Sequence, residues 1–317
     1  MPATGAVADG RLWLGESRRS WPGEAVSSPR DFHAGLPGYR PTPLHSVDGL
    51  AREFGVGAVM VKDESRRLGL PAFKVLGASW GVFQALRARL PDAPAAAGTL
   101  DDLREHLAAL GDVTLLTATA GNHGRAVARM ARWLGLPCLV LVPSSLAAPT
   151  VRAIGDEGVR VQPIRGSYDD AVTEAAALAD ADGGFVLVQD TAWPGYEQVP
   201  AWIVEGYDTL FQEVDDDPRG REPDLVVVPS GVGSLLAAAI RHYHAPGRPS
   251  APAILSVEPD GAACVLASAR AGHPVSVDTA GYVTVMAGLN AGTVSTAAWP
   301  VIRAGLDAAT AVTDEQA

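Results

Sequence analysis

The chain has 317 residues, enough for one large domain or two ordinary ones. Its 25 basic and 36 acidic residues leave a net charge of −11, so it lacks the basic footprint that nucleic acid or an anionic membrane surface requires. At 47% hydrophobic and 19% charged residues the composition is globular and not disordered. Its two cysteines, Cys138 and Cys264, stand too far apart for a metal signature or disulfide framework and suit a reducing compartment.

Residues 1 to about 38 are rich in Gly, Pro, Ser and Arg and read as an irregular arm. Met1 to Asp9 lack a basic stretch followed by an apolar one, so no secretory signal is expected. Beyond the arm, short apolar runs alternate with helical patterns. Val59–Lys62 predicts a strand and Ala78–Leu90 a helix. Pro91–Gly98 reads as a surface loop and Leu100–Leu110 as a short amphipathic helix. Val113–Ala118 predicts a strand, Gly124–Leu134 a helix and Cys138–Val142 a strand. Val151–Gly158 and Tyr168–Ala181 read as helices, Val159–Ile164 and Phe185–Gln189 as strands. Trp202–Val214 predicts a helix, Leu225–Val228 a strand, Leu235–His244 a helix and Ile254–Val257 a strand.

Strands separated by helices of about 10–15 residues imply β-α-β crossovers and a parallel sheet. Continuous apolar strands such as Leu139-Val140-Leu141-Val142 and Leu225-Val226-Val227-Val228 fit burial on both faces. The expected fold is α/β with two lobes. The longest uncharged run, Thr279–Ile302, is broken by glycines, Asn290 and Pro300 and makes a poor membrane span, so a cytoplasmic chain is expected.

In α/β folds, ligands bind at the carboxyl ends of strands. Three loops with that placement carry unusual chemistry. Ser230-Gly231-Val232-Gly233-Ser234-Leu235 follows a strand and opens a helix. Its glycines let the backbone approach a ligand, and the helix start offers N–H groups to an anion. It has neither a P-loop lysine nor a third glycine at dinucleotide spacing, which disfavours ATP and NAD; an ordinary tight turn is the plainer reading. Thr119-Ala120-Gly121-Asn122-His123-Gly124 sets an Asn-His pair on a bend before a helix. Asn122 is either a helix cap or an amide donor to a ligand oxygen, and no second metal ligand accompanies His123. Leu70-Pro71-Ala72-Phe73-Lys74-Val75 buries a lysine in an apolar run. Lys74 either snorkels to solvent or is a desolvated amine poised for Schiff-base chemistry. Together these loops offer a nucleophilic amine, a hydroxyl-reading amide and a phosphate cradle, a set that matches pyridoxal phosphate.

From about Tyr39 onward the chain resembles the fold-type II, tryptophan synthase β-like pyridoxal-phosphate enzymes, and within them the diaminopropionate ammonia-lyases. The resemblance rests on Tyr39-Arg40-Pro41-Thr42-Pro43-Leu44, Lys62-Asp63-Glu64-Ser65, Gly69-Leu70-Pro71-Ala72-Phe73-Lys74 and Gly121-Asn122-His123-Gly124-Arg125. Further matches are Tyr168–Val172, Gln189-Asp190-Thr191-Ala192-Trp193, Gly195-Tyr196-Glu197, Gly231–Ser234 and Met286–Leu289. The resemblance implies two lobes, each an open, mostly parallel sheet with helices on both faces. Residues 1–80 and 192–317 would form a large cofactor-binding domain and 81–191 a small substrate-loop domain.

It also implies roles. Lys74 would hold pyridoxal phosphate as a Schiff base, Asn122 would bond the ring hydroxyl, and the amides of Gly231, Val232, Gly233 and Ser234 would bind the phosphate. Thr119, Ala120, Gly121 and Asn122 would hold the substrate carboxylate. Asp190 would take the Cα proton of the L-substrate. The reaction implied is α,β-elimination of L-2,3-diaminopropionate to pyruvate and ammonia, by a homodimer. Ala120 departs from the family, which usually has an aspartate there as base for the D-isomer, and looks instead like the L-threonine dehydratases. In the family, a Gly/Ser segment whose serine faces the pyridine nitrogen follows the stretch ending here at Ala317. The alternatives are an L-serine/threonine dehydratase or β-replacement synthase of the same fold, and a catalytically impaired cofactor-binding protein. A dinucleotide oxidoreductase is disfavoured by the late Gly231-Val232-Gly233 and its missing third glycine.

Overall fold

The computed structural model describes residues 11–15, 28–90, 98–119, 121–217, 219, 222–248 and 251–317. Ala120 and the Pro91–Ala97 part of the predicted surface loop lie outside them. In chain order the elements are β1 (Leu12–Leu14), α1 (Arg30–Ala34), β2 (Leu44–Ser46), α2 (Asp48–Phe54), β3 (Met60–Lys62), α3 (Lys74–Arg87) and α4 (Leu100–His106). There follow β4 (Thr114–Ala118), α5 (Asn122–Leu134), β5 (Cys138–Pro143), α6 (Ala148–Gly155), β6 (Arg160–Ile164), α7 (Tyr168–Ala181), β7 (Phe185–Leu187), α8 (Gln198–Gly206) and α9 (Asp208–Asp216). The rest are β8 (Leu225–Pro229), α10 (Ser234–Tyr243), β9 (Ala253–Pro259), α11 (Cys264–Ala271), α12 (Trp299–Gly305) and β10 (Ala308–Val312). The fold is α/β, with parallel sheets flanked by helices, as the alternation of apolar runs predicts. No helix among the described residues is long and apolar enough to cross a membrane.

The chain forms two compact units. A lysine unit comprises residues 28–188 and 206–221; a glycine-loop unit comprises 1–27, 189–205 and 222–317. Residues 28–80 fall with 81–188 in this division.

The lysine unit is organised on a parallel sheet of order β6-β5-β4-β7, preceded in sequence by an antiparallel β2–β3 pair joined through α2. From β4 the chain winds through α5 to β5 and through α6 to β6, and α7 then carries it back to the far side of β4. Right-handed crossovers put α5 and α6 on one face and α7 on the other. Accordingly β5 is buried at every residue. The winding reverses at β4, so Thr119 and Gly121, which follow β4, stand at a switch point of the kind where α/β sheets bind ligands. Helix α3 is buried almost all round, from Val75 to Phe83, as a central helix must be. Phe32 of α1 lies on its Trp80 and Phe83, whose own rings stack 5.5 Å apart.

The glycine-loop unit carries a sheet of order β1-β10-β9-β8, parallel except for the antiparallel edge strand β1. Its parallel strands follow one another in a single direction, β8 to β9 to β10, so right-handed crossovers set their helices on the same face. On that face Val228, Ile254, Ser256, Glu258, Ala309 and Ala311 are buried. On the opposite face Leu14, Leu225 and Val227 are 54%, 51% and 55% exposed.

Three departures from the sequence reading have local causes. Helix α3 begins at Lys74 and not at Ala78, so the lysine expected in a loop is the first helical residue. The predicted Trp202–Val214 helix is two helices, α8 and α9, separated at Tyr207. The break follows Gly206, where a Cβ would stand 2.7 Å from the Leu76 carbonyl oxygen and 2.8 Å from Gly77 Cα. Finally, the arm expected to be irregular contains β1 and α1.

Candidate active site

The loop that delivers Lys74 is fixed from several sides. Leu68 at φ +51° and Gly69 at φ +75° turn the chain, and Arg67 and Leu70 bridge across the turn. The Leu68 carbonyl accepts from Arg129 Nη1 of α5 at 2.8 Å. Two residues after Lys74, the Leu76 carbonyl accepts from His33 Nε2 at 3.0 Å, which assigns the ring proton to Nε2 and leaves Nδ1 to accept from the Thr209 hydroxyl at 2.7 Å. Lys74 itself is half-buried, its Nζ 5.8 Å from the Phe73 ring centroid.

Arg67 is anchored in a buried ion cluster that no sequence spacing reveals. Its guanidinium meets Glu213 through Nη1 at 2.6 Å and Nη2 at 2.8 Å, and Glu64 through Nε at 2.8 Å and Nη2 at 2.6 Å. Lys62 Nζ donates to Glu213 at 2.6 Å, and the Tyr39 hydroxyl donates to it at 2.7 Å. Burial pushes the Glu213 carboxyl up, but Arg67, Lys62 and Tyr39 outweigh it and hold the group at about 2. Two of the motifs quoted for the resemblance, Tyr39–Leu44 through Tyr39 and Thr42 and Lys62–Ser65 through Lys62 and Glu64, thus converge on the support of the lysine loop.

The loop after β4 is braced from within. Buried Thr119 accepts through Oγ1 from the amides of Gly121 and Gly124, both at 3.0 Å. A Cβ on Gly124 would collide with the Thr119 side chain at 2.2 Å, so glycine is required there. Asn122 is the first residue of α5 and is exposed, and its neighbour His123 is buried with Nε2 2.9 Å from the Val188 carbonyl oxygen. His123 thus serves structure.

Loop Ser230–Gly233 leaves the carboxyl end of β8 and enters α10 at Ser234. No side chain caps this helix start, whereas α4 and α7 begin with full capping boxes, Thr99 with Asp102 and Ser167 with Asp170. First-turn N–H groups without a side-chain cap suit an incoming anion. Gly233 lies at φ +92°, and a Cβ there would stand 2.6 Å from Ile302 Cδ1. A Cβ on Gly231 would press on Leu289 at 3.4 Å, so the Met286–Leu289 motif backs this loop. Behind it, the Cys264 thiol donates to the Gly231 carbonyl at 3.5 Å, and Glu258 accepts from the Val265 and Leu266 amides, each at 2.7 Å, at the start of α11. Burial pushes the Glu258 carboxyl up to about 8 and the Cys138 and Cys264 thiols up to about 12. A glycine-lined helix start that offers N–H donors and the Ser234 hydroxyl fits a phosphate monoester, as found on pyridoxal phosphate.

In the same unit, buried Asp190 lies on the segment Gln189–Tyr196. Ser234 Oγ donates to its carbonyl oxygen at 3.4 Å. Pro194 followed by Gly195 at φ +90° has the make-up of a type II turn, closed by the Tyr196 amide on the Trp193 carbonyl at 2.8 Å. The turn stacks the Trp193 and Tyr196 rings 4.4 Å apart, and Tyr196 Oη accepts from the Gln189 amide at 2.9 Å. Burial, assisted by the Asp190 charge, pushes the Tyr196 phenol well above its ordinary range.

The profile of the pyridoxal-phosphate dependent enzymes matches residues 36–317. The chain belongs to this family. Within it, the chain is 36% identical over 291 residues to the diaminopropionate ammonia-lyase of Escherichia coli K12, covering 90% of this chain and 71% of that protein. A crystal structure of the Escherichia coli diaminopropionate ammonia-lyase in complex with an aminoacrylate-PLP azomethine reaction intermediate superposes with a TM-score of 0.81 at 32% identity, over 96% of this chain and 77% of that one. The processed form of threonine deaminase isoform 2 from Solanum lycopersicum shares the fold, at TM-score 0.70 and 22% identity over 99% of this chain and 77% of that one. The chain thus joins the diaminopropionate ammonia-lyase branch of fold type II, with pyridoxal phosphate as its cofactor.

Sequence reading missed Arg67 and Glu213 as supports of the site; Thr119, expected to hold the substrate carboxylate, also braces its own loop. For Arg67 the available signal was an arginine just after a quoted motif; Glu213 is 146 residues from Arg67 and gave none.

Proposed function

We propose that this protein eliminates ammonia from L-2,3-diaminopropionate to give pyruvate. What carries the reading is the 36% identity to a diaminopropionate ammonia-lyase together with a buried carboxyl, Asp190, on a turn-closed segment. Bound pyridoxal phosphate supplies an electron sink for the pair left at Cα. In this reading Lys74, at the start of α3, offers the amine that holds the cofactor. The amides of Gly231, Val232, Gly233 and Ser234 take the phosphate, and the Asn122 amide donates to the ring hydroxyl. Thr119 shapes the loop whose residues through Asn122, including Ala120, meet the substrate carboxylate. The Asp190 carboxylate accepts the Cα proton, the β-nitrogen leaves as ammonia, and water hydrolyses the released aminoacrylate to pyruvate and a second ammonia. The family resemblance further supports a homodimer and a cytoplasmic location, which sedimentation and fractionation would check.

Ala120 favours a second reading, an L-serine or L-threonine dehydratase. Parallel assays with cofactor-loaded protein decide between them: pyruvate from L-2,3-diaminopropionate in preference to L-serine supports the ammonia-lyase, and the reverse order supports the dehydratase. Lys74→Ala should lose the visible absorbance of the lysine-bound cofactor and reduce turnover by about a thousandfold or more. Full turnover by that variant would end this reading.

A further inference from the structure

The proposed base sits in a segment with more internal bracing than a connecting loop needs. From Gln189 to Tyr196 the chain leaves, turns at Pro194-Gly195 and returns, so that the side chain at the end of the segment meets the backbone at its beginning. Three contacts close it: the Tyr196 amide on the Trp193 carbonyl at 2.8 Å, the Trp193–Tyr196 stack at 4.4 Å, and the Gln189 amide on Tyr196 Oη at 2.9 Å. Asp190 is the residue immediately inside the last of these. Its own carbonyl is held from the other side by Ser234 Oγ at 3.4 Å.

A short carboxylate side chain has little reach of its own, so where it can point is decided largely by the φ and ψ of its backbone. The backbone of Asp190 is fixed on its N-terminal side by the bond at Gln189 and through its own carbonyl by Ser234. A proton taken from Cα demands a base within hydrogen-bond reach, about 2.6–3.2 Å between heavy atoms, and a misplacement near 1 Å costs about a hundredfold in rate. The Tyr196 hydroxyl therefore bears on the reaction through geometry, at one residue's remove.

We infer that Tyr196 is the positioning residue for Asp190: by accepting the Gln189 amide while its ring is clamped on Trp193, it fixes the backbone from which the base is presented. The inference rests on the proposed role of Asp190 as the base. Tyr196→Phe isolates it, because the ring and its stack remain and only Oη is lost.

In Tyr196→Phe, kcat for L-2,3-diaminopropionate should fall about tenfold with KM and the visible cofactor absorbance unchanged, because binding groups are untouched while proton removal is displaced. In the cofactor-loaded protein, hydrogen exchange of the Gln189 amide should speed up by up to about tenfold, the effect of one lost hydrogen bond. A purely structural tyrosine would also raise KM or release cofactor. Wild-type kcat, unchanged Gln189 exchange, or loss of cofactor absorbance in Tyr196→Phe would each overturn the inference. Asp190→Asn separates the two levels. If it is inactive while Tyr196→Phe behaves as wild type, the base assignment stands and the positioning role falls. If Asp190→Asn retains turnover, the base assignment falls and takes the positioning role with it.

Discussion

The two four-stranded sheets start from similar apolar runs and end in different environments. In the lysine unit, Leu139-Val140-Leu141-Val142 is buried on both faces. In the glycine-loop unit, the equally apolar Leu225-Val226-Val227-Val228 leaves Leu225 and Val227 more than half exposed. Side-chain chemistry does not separate the two strands; winding does. The lysine unit reverses direction at β4, which obliges helices to cover both faces, while the described parallel strands of the glycine-loop unit, β8 to β9 to β10, follow one another in one direction. Strand composition therefore reports that a strand is buried or could be, and topology decides which.

Substitutions in the two units test that contrast. The largest effect on stability is expected at Glu213, where Glu213→Gln leaves Arg67 buried without its full counter-charge and should cost about 3–5 kcal/mol in denaturant unfolding. A loss below about 1 kcal/mol would mean that the cluster is better solvated than its burial indicates. Leu116→Ala, in the enclosed β4, should cost about 2–5 kcal/mol, cavity included.

A pH titration should show the same enclosure. Burial, more than the nearby Arg67 charge, lowers the His33 imidazole to about 3 against the pull of the Leu76 carbonyl. The unfolded chain binds a proton near pH 6.5 that the folded one refuses, so stability should fall progressively as pH drops from about 6.5 toward 3. Thermal melts of the parent and of His33→Gln over that range should diverge, the parent losing more. Glu213 acts lower down: its depressed pKa contributes stability that is lost as pH falls from about 4.5 through about 2. The smallest effect belongs to the open face, where Val227→Ala should change stability by no more than about 0.5 kcal/mol. A cost near that of Leu116→Ala would erase the contrast between the sheets.

Much of the fold was legible because its strands are short apolar runs between helical stretches; β4 through α7 stand within a few residues of where the pattern puts them. The site loops were legible for a different reason, since glycines and a lysine in apolar surroundings are locally anomalous. What could not be read shares one property: it depends on partners far away in sequence. Helix α3 begins four residues before the apolar pattern suggests, where His33, itself held by Thr209, bonds the Leu76 carbonyl and Gly206 packs on Leu76 and Gly77. The strands β1 and β10, three and five residues long, are defined by their pairing, β1 on β10 and β10 on β9, with partners distant in sequence. Tyr196 was visible as a motif residue, but its hold on Gln189 depends on a turn and a stack that only coordinates reveal.

Gly206 carries a consequence for anyone altering this protein. Its missing side chain is what allows α8 to end with its backbone against Leu76 and Gly77, in the same first turn of α3 as Lys74. A methyl group added there would meet Leu76, Gly77 and Trp80, none of them among the residues proposed to hold cofactor or substrate. It would still have to displace the helix that carries the amine, so an alanine scan confined to residues lining the site would overlook a place where the aim of that amine is set by empty space.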